Sequence, residues 1–236
     1  MHQPGEPFTL GRQRGNVRVV DEACFAQVEH WVFDLDNTLY PPEAMLFDLI
    51  EPRIIAWMTR ALSITDDAAN RLRLDYWHTY GTTIAGLIAQ HGIDPGPYLA
   101  DVYDITFETL VPDPLLRDAI VRLPGRKIIF TNACVPYAER VVAARGLAGV
   151  FDAMYGVEHA GYLSKPDRAA FEAVFARDVI DPTRAAMFDD DPRNLAAPHA
   201  MGMRTVHVSS TAHRAEHIHH HTADLTDFLG QVTRGM

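Results

Sequence analysis

Five short apolar runs punctuate the chain: Trp31–Leu35, Lys127–Thr131, Ala153–Val157, Ala185–Asp189 and Thr205–Val208. Each ends in polar or Gly/Pro residues, and helical stretches separate the later ones. Runs this short and bounded this way read as buried parallel strands. The alternation with helices predicts an α/β fold built on a Rossmann-like parallel sheet. Helices expected around Asp113–Leu123, Tyr137–Arg145, Asp167–Arg177 and Arg193–Met201 would cover its faces.

The interval between the first two strands is roughly ninety residues, far longer than a simple crossover. Its pattern is helical throughout. Pro41 and Pro42 precede Glu43–Leu62, where Met45, Leu46, Leu49, Ile50, Ile54, Trp57, Met58 and Leu62 recur at helical spacing. Thr65 is a suitable N-cap for a helix that runs to Tyr80 and stops at Gly81. Thr82 or Thr83 starts another, ended by Gly92, and Asp94-Pro95 opens a turn before a shorter helix near Tyr98–Asp104. The expected organisation is a core domain of residues 28–42 and 111–236 with a helical domain of residues 43–110 inserted after the first strand. Trp57, Met58 and Trp77 would pack inside the insertion. Residues 1–27, rich in Gly, Pro, Gln and Arg near their start, read as a mobile arm.

Composition narrows the function classes. Of 236 residues, 47% are hydrophobic and 22% charged, which is ordinary globular usage. The 21 Lys and Arg against 31 Asp and Glu leave a net charge of −10, which disfavours a nucleic-acid polymer or an anionic membrane as partner. Cys24 and Cys134 form no disulfide framework and suit a reducing, cytoplasmic setting. Neither a signal peptide nor a membrane span is expected.

The acids are where the chemistry lies. Asp34 and Asp36 close the first strand, at the edge where open parallel sheets bind ligands. Such a pair repels unless a cation or a shared proton compensates, and Mg²⁺ is the natural hard, oxygen-ligated partner. A capping or turn pair is the plainer reading of Asp-x-Asp alone. Asp189, Asp190 and Asp191 close another strand, where three acids are costly without a positive group nearby; a solvated turn into a helix is the alternative. Thr131 and Asn132 bring a hydroxyl and an amide to a third strand end. Lys165 comes just before a helix, with Pro166 at the first helical position; it is either a solvent-facing charge or a clamp for the acids.

These motifs, in this order, resemble the haloacid dehalogenase superfamily in its phosphatase branch: Asp34-x-Asp36-x-Thr38, then Thr131, then Lys165, then Asp189-Asp190 with Asn194. The resemblance runs from Trp31 to about Val208, and the insertion looks like that family's C1 cap. It implies that Asp34 is the nucleophile and Asp36 the acid and base. Asp34, the Asp36 carbonyl and Asp190 would hold Mg²⁺, with Asp189 beside them. Thr131, Asn132 and Lys165 would hold the phosphoryl oxygens, and Asn194 would orient Asp190 or Lys165. Within the branch, Phe33–Pro41, Tyr80–Thr83 with Gly86-Leu87, His91–Asp94, Leu123–Lys127 and Pro198–Met203 are similar to pyrimidine 5′-nucleotidases. The chain departs from that pattern at Tyr103 and Tyr137, where histidine is expected, and at Asp189, where glutamate is common.

The implied substrate is a small phosphomonoester, with Tyr40, Phe47, Tyr80, Thr82 and Thr83 as candidate specificity residues. Core packing is the plain alternative for the aromatics, and helix capping for the threonines. A sugar-phosphate or phosphoglycolate phosphatase is the rival within the fold. A non-catalytic acidic-pocket module is the rival outside it. His217, His219, His220 and His221 cluster too irregularly for a metal site and read as a loop before the last helix. Cys134, near the expected site, reads as a buried thiol.

Overall fold

The structure is a computed structural model, and it describes residues 25–234. Cys24 and most of the expected N-terminal arm therefore lie outside the described residues. Phe25, placed within that arm by its sequence, is fully buried against Trp31 and Phe228.

Six strands form one parallel sheet: β1 (His30–Phe33), β2 (Arg126–Phe130), β3 (Ala153–Tyr155), β4 (Ala185–Asp189), β5 (Arg204–Val208) and β6 (His220–Thr222). Their order is β3-β2-β1-β4-β5-β6, every pair parallel. The five expected strands are all present, with ends shifted by up to two residues. The sixth is a correction: His220 and His221, expected in a loop, pair with Val206 and His207.

Alternation along β1 assigns its two faces. Trp31 and Phe33 join the larger apolar cluster, with Ile129, Phe188 and Val206. Val32 joins the other, with Ile128, Phe130, Met187 and Phe171. Helices α5 (Pro114–Val121), α6 (Val135–Ala144) and α9 (Leu225–Arg234) contribute to the first cluster, and α7 (Arg168–Asp178) to the second, while α8 (Ala196–Ala200) packs against α7 and β5.

Four helices fill the interval after β1: α1 (Leu46–Leu62), α2 (Asp66–Tyr80), α3 (Thr83–His91) and α4 (Pro95–Val102). They pack on one another as α1 on α2, α2 on α3, and α4 on α1 and α3. The Thr65 and Thr82 hydroxyls cap α2 and α3, and Gly81 and Gly92 end them at positive φ, as their chemistry predicts. Several boundaries differ. The helix expected near Tyr98–Asp104 runs from Pro95 to Val102, because Asp94-Pro95 caps and starts it. The first helix begins at Leu46, because Pro42–Ala44 winds as a 3₁₀ turn and Met45 adopts φ 54°. The expected helix Arg193–Met201 is a 3₁₀ turn, Pro192–Leu195, followed by α8. Among the described residues, no helix is long and apolar enough to cross a membrane.

Phe188 is the pivot of the packing: it stacks on Phe33 at 4.7 Å and meets Phe228 edge-on at 6.1 Å. Phe188→Ala is expected to lower the unfolding free energy by about 3–5 kcal/mol, read from urea denaturation. A loss under about 1 kcal/mol would contradict this packing.

Candidate active site

Parallel strands bring their C-terminal ends to one edge, and β1 lies between β2 and β4. Asp34, Thr131 with Asn132, and Asp189 with Asp190 therefore meet there. Asp34 extends the ladder one step beyond β1, its N–H donating to the Phe188 carbonyl at 2.8 Å.

Lys165 enters this edge from the loop before α7. It is 1% exposed, and its Nζ donates to Asp34 Oδ1 at 2.6 Å and to Asp189 Oδ2 at 2.7 Å. Asn132 holds the lysine's backbone from both sides: Nδ2 donates to the Lys165 carbonyl at 3.0 Å, and Oδ1 accepts from its N–H at 2.8 Å. The side chain of Asn132, expected on a phosphoryl oxygen, is thus committed to placing Lys165. Pro166 is not the first helical residue either; α7 starts at Arg168 and Asp167 caps it. Asp189 accepts on both oxygens, Oδ1 from Asn194 Nδ2 at 2.9 Å and from the Asp191 N–H at 3.0 Å. Asn194 therefore orients Asp189, and not Asp190 or Lys165 directly as expected.

Asp36 faces a different set of partners. Its Oδ1 accepts from the Tyr40 hydroxyl at 2.5 Å and from the Tyr137 hydroxyl at 2.7 Å. Tyr40, expected at the substrate, is 2% exposed and serves as a partner of Asp36. Tyr137, where histidine was the expected residue type, is the second partner of Asp36, a role that the sequence does not assign. Thr131 is buried and lies on the cavity wall, its Oγ1 accepting from the Ala133 N–H at 3.0 Å.

Four carboxylates and one ammonium share this edge. Burial pushes the Asp34 carboxyl well above its ordinary range; Lys165 opposes that and the other acids reinforce it. Burial also raises Asp36, against the two phenolic hydrogen bonds. Asp190 is pushed up to about 7, first by burial and next by Asp189. The Lys165 ammonium is held well above the usual lysine value by Asp189 and Asp34, which outweigh its burial. An excess of negative charge, reached only by oxygen donors, is what a hard divalent cation neutralises. Carboxylate oxygens of Asp34, Asp189 and Asp190 lie within 4.8 Å of one another, so these residues fit such an ion.

A cavity of about 380 Å³ opens over the acids, between the strand ends and the helical insertion. Phe47, Thr82 and Thr83 line it as expected. Tyr80 does not; its ring packs edge-on against Tyr76 and its carbonyl accepts from Ser164 Oγ. Trp77, expected inside the insertion, is 40% exposed on the cavity wall, with the Arg193 guanidinium 3.8 Å above its ring. Arg193 in turn is paired with Asp191 at 2.6 Å. On the other side Gly81, at φ 83°, sits so close that a Cβ would lie 2.5 Å from the Lys165 carbonyl. Glu51, Arg73, Tyr98 and Tyr103 also line the cavity. No simple sequence signal marks them, because helical periodicity does not distinguish a cavity wall from a packed face.

The histidines form no convergent metal group among the described residues. His219 bonds Thr205, and His217 Nε2 donates to the Pro192 carbonyl. Cys134 is buried and its thiol pushed up by burial, as expected of an inert thiol.

A model of the haloacid dehalogenase-like hydrolases matches residues 28–202. Phosphate metabolism protein 8 of Saccharomyces cerevisiae is 29% identical over 191 residues, covering 72% of this chain and 58% of the yeast protein. The chain thus spans little more than half of that relative. A 2-haloacid dehalogenase from Pseudomonas syringae pv. Tomato superposes with TM-score 0.55 at 18% identity, covering 89% of this chain and all of that one. A HAD phosphatase from Thermococcus onnurineus does so with TM-score 0.51 at 20% identity, covering 86% and 99%. At these identities the solved structures share the fold.

Lys165→Met strands two buried carboxylates and is expected to cost about 3–5 kcal/mol of stability, measured by urea denaturation; unchanged stability would contradict the clamp. A second expectation follows from Asp190. A carboxyl whose folded pKa is raised contributes stability below its unfolded pKa and loses it as pH rises through the folded value. In EDTA the Tm should therefore fall from about pH 5 to about pH 8, and millimolar Mg²⁺ should shrink that fall. A Tm that rises over this window, or ignores Mg²⁺ at the upper end, would contradict the site.

Proposed function

The chain belongs to the haloacid dehalogenase-like hydrolase family, and from that premise we propose that it is a Mg²⁺-dependent phosphomonoesterase acting on nucleoside monophosphates, pyrimidine ones first. The observation that carries the choice of chemistry is Asp36. Expelling a halide needs no proton, whereas expelling an alkoxide does. A buried carboxyl of raised pKa, two residues after Asp34 and fixed by two phenols, is suited to supply one. The yeast relative named for phosphate metabolism supports the same substrate class.

The residues then divide the work. Lys165 occupies Asp34 Oδ1, leaving Oδ2 as the attacking oxygen. As Asp34 attacks phosphorus, the P–O bond to the leaving group breaks and the Asp36 carboxyl passes its proton to the departing oxygen. The Asp36 carboxylate then takes a proton from water, whose oxygen attacks the phosphorus and releases inorganic phosphate and the Asp34 carboxylate. Lys165, with the Thr131 hydroxyl, holds the phosphoryl oxygens, and Asn132 and Asp189 keep Lys165 in place. Asp34 and Asp190, with the Asp36 carbonyl, would hold Mg²⁺, which when bound neutralises phosphoryl charge. Asp189 has both oxygens engaged and acts through Lys165. The helical insertion acts as a cap that covers the leaving group and excludes water. A sugar phosphate as substrate would keep every one of these roles.

Phosphate release across UMP, CMP, dUMP, TMP, AMP, GMP and several sugar phosphates tests this reading. The expected result is a pyrimidine-weighted profile that vanishes in EDTA. Asp34→Asn should lower kcat by about a thousandfold or more, and Asp36→Asn by about 10²–10⁴-fold. Turnover confined to sugar phosphates would overturn the nucleotidase assignment, and turnover surviving Asp34→Asn would overturn the mechanism.

A further inference from the structure

The cavity holds one polar pair away from the acids. Arg73 of α2 reaches Glu51 of α1, Nη1 donating to Oε1 at 3.1 Å. Its Nε and Nη2 donate to Asn70 Oδ1 at 3.2 and 3.0 Å, so the guanidinium is held at three points. A guanidinium carries five N–H groups, and two of these remain to donate. Glu51 Oε2 remains to accept. Both residues line the cavity, on the insertion side, with the arginine side chain 13% exposed and the glutamate 46%.

Beside them the wall is apolar and open. Phe47, Leu74 and Trp77 are large hydrophobic residues each more than 40% exposed or at that level, and all three line this cavity. Large apolar side chains left open in a concave site mark a surface that a ligand covers. A flat ring would lie against such a wall with its polar edge toward the pair.

We propose that the Glu51–Arg73 pair is a specificity site that reads the amide-like edge of a neutral, flat leaving group, the guanidinium donating to a ring carbonyl or ring nitrogen and the carboxylate accepting a ring or exocyclic N–H. This rests on the phosphomonoesterase reading. Pyrimidine nucleosides carry adjacent donors and acceptors of this kind. A leaving group bearing its own carboxylate, as in phosphoglycolate, meets only cations that already have carboxylate partners: Arg73 is paired with Glu51, Arg193 over Trp77 with Asp191, and Lys165 with Asp34 and Asp189. The pair thus selects for neutral aromatic leaving groups and against anionic ones.

The test is calorimetric binding to the full chain carrying Asp34→Asn, so that the ester is not consumed, with uridine 5′-monophosphate, ribose 5-phosphate and phosphoglycolate. The nucleotide should bind tightest. Glu51→Gln and Arg73→Met, tested separately in case one fails to fold, should each cut the preference for the nucleotide over ribose 5-phosphate by about tenfold. A preference that stays within about twofold in both variants, or phosphoglycolate binding as tightly as the nucleotide, would overturn the proposal. Turnover of p-nitrophenyl phosphate by the unaltered chain decides the hydrolase chemistry separately. Turnover without nucleotide preference overturns this specificity site alone. Nucleotide preference without turnover overturns the chemistry and leaves the site standing.

Discussion

The active edge depends on one buried ammonium. Lys165 Nζ sits 2.6 Å from Asp34 and 2.7 Å from Asp189, and none of the three is more than 6% exposed. Carboxylates buried this close together repel strongly. Without the lysine they would have to protonate, or the strand ends carrying them would have to part. The surrounding residues serve that one contact. Asn132 grips the lysine's backbone, Asn194 and the Asp191 N–H fill the remaining valences of Asp189, and the Gly81 turn closes over the Lys165 carbonyl. The lysine does not cancel all of the charge: the carboxyls of Asp34 and Asp190 both stay raised, an imbalance of the kind a divalent cation relieves.

Asp36 is set apart by its partners. Two phenols converge on one of its oxygens, and the Tyr137 ring lies tilted, 4.6 Å between centroids, against Tyr103, which lines the cavity. Two carboxylates two residues apart thus occupy different environments: Asp34 belongs to an ionic cluster, Asp36 to an aromatic one. That separation is the physical basis for assigning one to attack and the other to proton transfer. The helical insertion completes the site from the other side, touching the core loops through Arg193 on Trp77 and through the Ser164 hydroxyl on the Tyr80 carbonyl.

Much of this was legible in the sequence, for a reason that can be located. Asp34, Thr131 and Asp189-Asp190 each stand at or just past the end of a short apolar run, and a parallel sheet brings such ends together whatever the details of packing; Lys165 lies in the loop before α7 and is legible only through its place in the ordered motifs. The helices of the insertion were readable because Thr65, Thr82, Gly81 and Gly92 punctuate them. Partners across the fold were not readable. Residue type permits Tyr40 at the substrate and Asn132 on phosphate; only tertiary contact shows them bonded to Asp36 and Lys165. The helical spacing of Trp77 predicts a packed interior position, yet it faces the cavity under Arg193, 116 positions further along. The strand at His220–Thr222 is three residues long, and its histidines carry no apolar alternation to reveal it.

The most direct measurement is rapid acid quench of the enzyme during turnover of a nucleoside monophosphate in Mg²⁺, followed by peptide mass spectrometry. The expected result is a phosphoryl increment on the peptide that carries Asp34, localised to that residue and absent in Asp34→Asn. A phosphoryl group trapped on another residue, or steady hydrolysis by Asp34→Asn at an undiminished rate, would contradict the assignment of Asp34 as the attacking carboxylate.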